Sequence, residues 1–119
     1  MSENKEIIKE EVKVETAPAT EEEVLGCGTY KFRNPVLIDG ELKTEIEYDL
    51  EELDGNDVVQ AVKTLAENGI MVTFAETDQN YHAAIFAIAA GIDFMDVKRF
   101  KFKDFTKVCN IVRNFFLED

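Results

Sequence analysis

The dipeptide Asp39-Gly40 constrains this chain more than any other pair of residues. A two-residue type I′ turn needs positive φ at both central positions, and it joins two antiparallel strands whose twist it matches. The flanking residues agree with that turn. Leu42, Thr44, Ile46 and Tyr48 alternate with Lys43, Glu45 and Glu47, so residues 42–48 read as a strand with one apolar face. Residues 30–38 read as its partner, with Phe32, Val36 and Ile38 expected on the matching face. Pro35 has no N–H to give to a ladder, which places an edge or a bulge there. A lone hairpin is marginal in water, so helices have to cover its apolar side.

The pattern after the hairpin is helical. Asp54-Gly55-Asn56-Asp57 supplies N-caps for a first helix carrying Val58, Val59, Val62, Leu65 and Ala66 as its apolar stripe, closed by Gly69. Residues 70–75 are apolar and β-branched, a short strand or a buried loop. Asp78 caps a second helix over 79–90 that ends at Gly91, and its alanines permit close helix packing. Asp93 caps a short turn over 94–100. Asp104 starts the last helix, with Phe105, Val108, Cys109, Val112, Phe115 and Phe116 as its stripe. The expected fold is α+β: an N-terminal β-hairpin packed on a small bundle of three to four helices.

One such domain fits 119 residues. Its expected extent is 29–119, with 1–28 a disordered acidic tail hinged at Gly26 and Gly28. Residues 1–25 hold eight acids, three lysines and no aromatic residue, a composition that buries too little to offset its ordering entropy. The segment opens on charged residues, so no secretory signal is expected, and no apolar run approaches the roughly 18 residues of a membrane span. Cys27 and Cys109 form no CxxC pair and read as free thiols, Cys109 as a small core residue.

The net charge is −12, which repels phosphate backbones and argues against nucleic-acid binding. The charge is also segregated. Residues 39–57 hold nine acids and one lysine, whereas residues 98–113 hold six basic side chains and one Asp. Either these faces meet within the chain, or they meet head to tail in a homo-oligomer.

Catalytic chemistry finds no foothold. His82 is the only histidine, and no nucleophile motif, HExxH, Walker A, EF-hand loop or GxGxxG accompanies it. A helix-packing or surface role is expected for it. Asp54, Asn56 and Asp57 offer oxygen ligands but are better explained as caps. No enzyme, metal or cofactor is therefore expected. The aromatic residues are less evenly spread, with Phe94, Phe100, Phe102, Phe105, Phe115 and Phe116 all in the last 26 residues. They serve a core, an apolar partner surface, or both.

Several of these segments together resemble the phage tail assembly chaperones, small proteins encoded beside the tail tube and tape measure genes. The segments are Pro35-Val36-Leu37-Ile38-Asp39-Gly40 with the strand after it, and Leu50-Glu51-Glu52-Leu53-Asp54-Gly55-Asn56-Asp57. Further on come Ala89-Ala90-Gly91-Ile92, Phe102-Lys103-Asp104-Phe105 and Phe115-Phe116-Leu117. The resemblance covers residues 30–117; the acidic leader departs from it. It implies a non-enzymatic protein of the host cytoplasm, absent from the finished virion. Such a protein keeps the tape measure protein soluble and helps recruit the tail tube protein. The client-binding surface is expected to use Ile85 and Phe86 on the second helix, and Phe105, Val108, Val112, Phe115 and Phe116 on the last. The alternative expectation is an acidic inhibitor that mimics nucleic acid and binds a basic host protein.

Overall fold

The computed structural model describes residues 26–117. The expected acidic tail lies outside the described residues except at its last positions. Two strands form an antiparallel hairpin, β1 (Cys27–Ile38) and β2 (Glu41–Asp49). A 3₁₀ turn (Leu50–Glu52) leads into α1 (Gly55–Glu67), α2 (Gln79–Ala90), α3 (Phe94–Lys98) and α4 (Phe102–Leu117). The architecture is α+β. Asp39 and Gly40 have φ of 53° and 83°, the double positive pair that a type I′ turn demands.

The helix ends follow local chemistry. The Asp54 carboxylate accepts from the N–H groups of Asn56 (2.9 Å) and Asp57 (3.2 Å), and Asp57 accepts from the Asp54 N–H (3.0 Å). This reciprocal capping box engages one oxygen of each carboxylate in the helix start. Asp78 caps α2 through the Tyr81 N–H and Asp93 caps α3 through the Met95 N–H. Gly69 and Gly91 follow the ends of α1 and α2.

α2 organises the core. Its residues 81–87 are all buried, and it touches α1, α3, α4 and β2. A helix that is apolar all round belongs at the centre of a fold, and Ala83, Ala84 and Ala87 let its neighbours approach closely. Phe86 is fully buried, with its ring 5.4 Å from that of Tyr48 on β2.

Four expectations need correction. First, the tail does not extend to residue 28. β1 begins at Cys27, opposite Asp49, and Gly26 is buried: its carbonyl accepts from the Leu50 N–H at 2.6 Å. Gly26 has φ of 98°, and a Cβ there would lie 2.7 Å from the Phe115 ring. Gly26→Ala is therefore expected to destabilise the fold by about 1–3 kcal/mol in urea denaturation, since it adds a clash to a left-handed backbone.

Second, the hairpin faces do not match along its length. Between the pairs Lys31–Glu45 and Val36–Lys43, β1 advances five residues and β2 only two. The difference of three is odd, so the bulge reverses the inward and outward sides beyond it. Val36 and Ile38 are buried, yet they sit opposite Lys43 and Glu41. Leu37 pairs with Leu42, and both are exposed at the hairpin tip.

Third, residues 70–75 are neither a strand nor a buried loop. Ile70, Val72 and Ala75 pack against the core while Met71 and Phe74 project outward. Fourth, Asp104 does not begin the last helix. α4 starts at Phe102, the Phe105 N–H reaches back to the Lys101 carbonyl at 2.8 Å, and Asp104 lies fully buried in the first turn.

Asp104 explains how the bulge is held. Its carboxylate accepts from the Tyr30 hydroxyl at 2.6 Å and from the backbone N–H groups of Arg33 (2.9 Å) and Asn34 (3.3 Å). A bulge strips N–H groups of their ladder partners, and a buried donor left unpaired is costly. Here the first turn of α4 supplies the acceptor, which locks the hairpin to the helices. Burial, followed by the hydrogen bond and negative charge of Asp104, raises the Tyr30 phenol well above its ordinary pKa.

Candidate functional site: an apolar groove with an acidic rim

α1 was expected to turn its valines inward, and it does not. Only Ala61 and Leu65 are buried; Val58, Val59 and Val62 are 40 %, 67 % and 43 % exposed. The reason is architectural, since α1 packs chiefly on α2 and no second layer among the described residues covers its other side. Val58 opens onto a groove of about 440 Å³ between the 3₁₀ turn, the start of α1, α2 and the end of α4. Leu50 and Leu53 form one wall and Tyr81 and Ile85 the floor, with Val112, Phe115 and Phe116 opposite. The lining is dominated by apolar side chains, and burial raises the Tyr81 phenol above its ordinary value.

Local structure positions each wall. The 3₁₀ turn is capped by the Asp49 carboxylate, which accepts from the Glu51 N–H at 3.0 Å, and the Leu53 N–H returns to the Leu50 carbonyl. Both leucines are thereby fixed toward the groove, while Glu51 and Glu52 face water. Asp54 stands in the groove's lining, next in sequence to these exposed acids. Gly26 lies close to both the Phe115 ring and the Glu51 side chain, so it brings the end of α4 up to the 3₁₀ turn.

The seven residues expected to bind a client divide three ways. Ile85, Val112, Phe115 and Phe116 line the groove, Ile85 and Val112 as buried floor, Phe115 half-buried and Phe116 45 % exposed. Phe86 and Val108 have no exposed surface; they support the helices from within and cannot touch a partner in this conformation. Phe105 is half-buried and lines a different cleft, beside His82 and Arg113. Sequence reasoning missed Leu50, Leu53, Val58 and Tyr81. The paired leucines of Leu50-Glu51-Glu52-Leu53 were a visible signal, an apolar pair at i and i+3 in an acidic turn.

Among the described residues no ion pair links the acids of residues 39–57 to the bases of residues 98–113. Among the described residues the ion pairs are local, Lys43 with Glu41 at 3.0 Å and Arg99 with Asp96. The basic side chains of residues 98–113 stay exposed. Cys27 and Cys109 are both free; Cys109 is buried, and burial pushes its thiol up to about 12. Among the described residues no group of His, Cys, Asp or Glu could hold a metal ion, and no helix is long and apolar enough to cross a membrane.

Compared with protein-family models, curated proteins and solved structures, the chain matches none.

Proposed function

We propose that this protein is a non-enzymatic binding protein of the phage tail assembly chaperone type, which seats an apolar helical segment of the tape measure protein in its groove. The observation that carries the reading is the groove itself. It opens Leu53, Val58, Phe115 and Phe116 to solvent over a buried floor that includes Leu50 and Ile85, with Asp54 in its lining and Glu51 and Glu52 exposed in the turn before it. An amphipathic helix lays its apolar face into such a groove, and lysines or arginines flanking that face meet the acidic rim. A tape measure protein is long and helical and exposes apolar faces before assembly. Many weak contacts along it sum to strong retention. Recruitment of tail tube protein, action in the host cytoplasm and self-association along the client belong to the same proposal.

Co-expression of the tagged protein with its neighbouring genes tests it. The expected result is co-purification of one very long helical protein that is insoluble when expressed alone. Capture of only a basic nuclease or polymerase, released by moderate salt, would instead establish the acidic-inhibitor reading, because contacts between exposed charges are screened within about 10 Å at 0.1 M salt.

A further inference from the structure

The described chain begins on the groove itself. Gly26 is buried, and its carbonyl accepts from the N–H of Leu50, a groove residue, at 2.6 Å. A Cβ on Gly26 would lie 2.7 Å from the Phe115 ring and 3.3 Å from the Glu51 side chain. Residues 1–25 lie outside the described residues, and their point of attachment is thus the meeting place of two groove walls. A chain spans up to about 3.3–3.6 Å per residue, so the whole segment is within reach of the groove.

The sequence of that segment carries the chemistry that the groove asks of a client. Residues three and four apart are neighbours on a helix. Ile8 and Val12 therefore make an apolar row, with Lys5 and Lys9 as a row on one flank and Glu11 and Glu15 as a row on the other. The groove offers the complement of all three. Val58 and Phe116, 40 % and 45 % exposed, stand over an apolar floor. Asp54 lines one wall, next to the exposed Glu51 and Glu52. The opposite wall belongs to α4, where Arg113 is exposed one turn before Phe116. Residues 5–15 hold three lysines and four glutamates, close to balance, whereas the uncompensated Glu21, Glu22 and Glu23 fall nearer to Gly26.

We propose that residues 5–15 of this same chain dock in the groove as a helix and compete with the client for it. Ile8 and Val12 seat against Val58, Phe115 and Phe116. The lysine row faces Asp54 and its acidic neighbours, and the glutamate row faces Arg113, which fixes one direction for the segment along the groove. Residues 16–25 are the tether. Ten residues without structure of their own have an r.m.s. span of roughly 17 Å. A tether that short holds its cargo at an effective concentration in the millimolar range, enough for a weak helix to occupy the site. The regulatory meaning rests on the client reading given above: one tethered segment keeps the apolar groove covered until a client offering many such segments displaces it.

The full chain carrying ¹³C-labelled Ile, Leu and Val methyl groups reads the groove through Leu53, Val58 and Ile85, with Leu65 reporting the core. Wild type is compared with Ile8→Asp/Val12→Asp and with Ala17→Asp/Thr20→Asp, which adds the same charge to the tether. The expected result is that Ile8→Asp/Val12→Asp shifts all three groove signals and Ala17→Asp/Thr20→Asp shifts none, with Leu65 in place throughout. A synthetic peptide of residues 1–15, at millimolar concentration, should return the groove signals of Ile8→Asp/Val12→Asp toward their wild-type positions. Unmoved groove signals in Ile8→Asp/Val12→Asp would overturn the proposal, as would an equal shift in the tether variant. So would wild-type groove signals that move on dilution, since they would assign the groove to the segment of a second copy. No client is present, so these results stand whether or not the tape measure protein binds.

Discussion

Asp104→Ala is expected to destabilise the protein by about 3–5 kcal/mol, a large part of the whole stability of a domain this size. The substitution removes a fully buried carboxylate that accepts three hydrogen bonds from β1. Hydrogen bonds to a charged group contribute more than neutral ones, and their loss leaves the Tyr30 hydroxyl and two backbone N–H groups without that acceptor. Asp104→Asn should cost less, since one carbonyl oxygen remains while the added NH₂ faces donors. Urea denaturation followed by circular dichroism reads both values. A cost under 1 kcal/mol for the alanine variant would mean that the bulge is not held by Asp104.

The same contact has a signature in pH. The Tyr30 phenol is raised in the folded state by burial and by Asp104. Its contribution is therefore fully present below the ordinary phenol pKa of about 10 and is lost as pH climbs beyond it. Tyr81, raised by burial, has the same sign. Tyr30→Phe should cost about 1.5–3 kcal/mol at neutral pH, as expected for a hydrogen bond to a charged group. It should also flatten part of the alkaline decline, leaving the part that belongs to Tyr81.

Phe86→Ala is the second large effect, at about 3–5 kcal/mol. Phe86 has no exposed surface, sits at the centre of α2 and packs on Tyr48. Truncation removes its burial and leaves a cavity that an alanine-rich helix has few side chains to refill. The thermal midpoint should fall by more than about 12 °C. Phe74→Ala, at a position 69 % exposed, should barely move it. The contrast matters for function, because any loss of client binding in a Phe86 variant would report unfolding and not a lost contact.

What the sequence made legible was what depends on near neighbours. The Asp39-Gly40 turn, the caps Asp54, Asp78 and Asp93, and the extent of α2 all follow from residues within four positions of one another. The bulge was half legible, since Pro35 marks it but nothing nearby says how many residues it adds. That count decides which side Leu42 takes. Asp104 was misread as a helix start because its partners lie 70 to 74 positions away, and a buried Asp and a capping Asp look alike in a string of residues. The valines of α1 were misread for a related reason. A helical period identifies an apolar face but not whether the fold supplies something to cover it. Four of the seven residues chosen for the site meet in the groove because the end of α4 and the middle of α2 are adjacent. Phe86 and Val108 lie on the same stripes but at central positions, which a core takes first.

The groove is most directly tested by titrating a soluble helical segment of the tape measure protein against the wild type, Phe116→Asp and Leu42→Asp. Phe116 is 45 % exposed in the groove and Leu42 is 67 % exposed at the hairpin tip, so both variants should keep the wild-type melt. A charge among the apolar anchors of an interface should cost about 2 kcal/mol or more. The result expected is a binding loss of at least roughly thirtyfold for Phe116→Asp and wild-type binding for Leu42→Asp. Equal binding by wild type and Phe116→Asp would contradict the groove as the client site, and no binding by the wild type would contradict the chaperone reading itself.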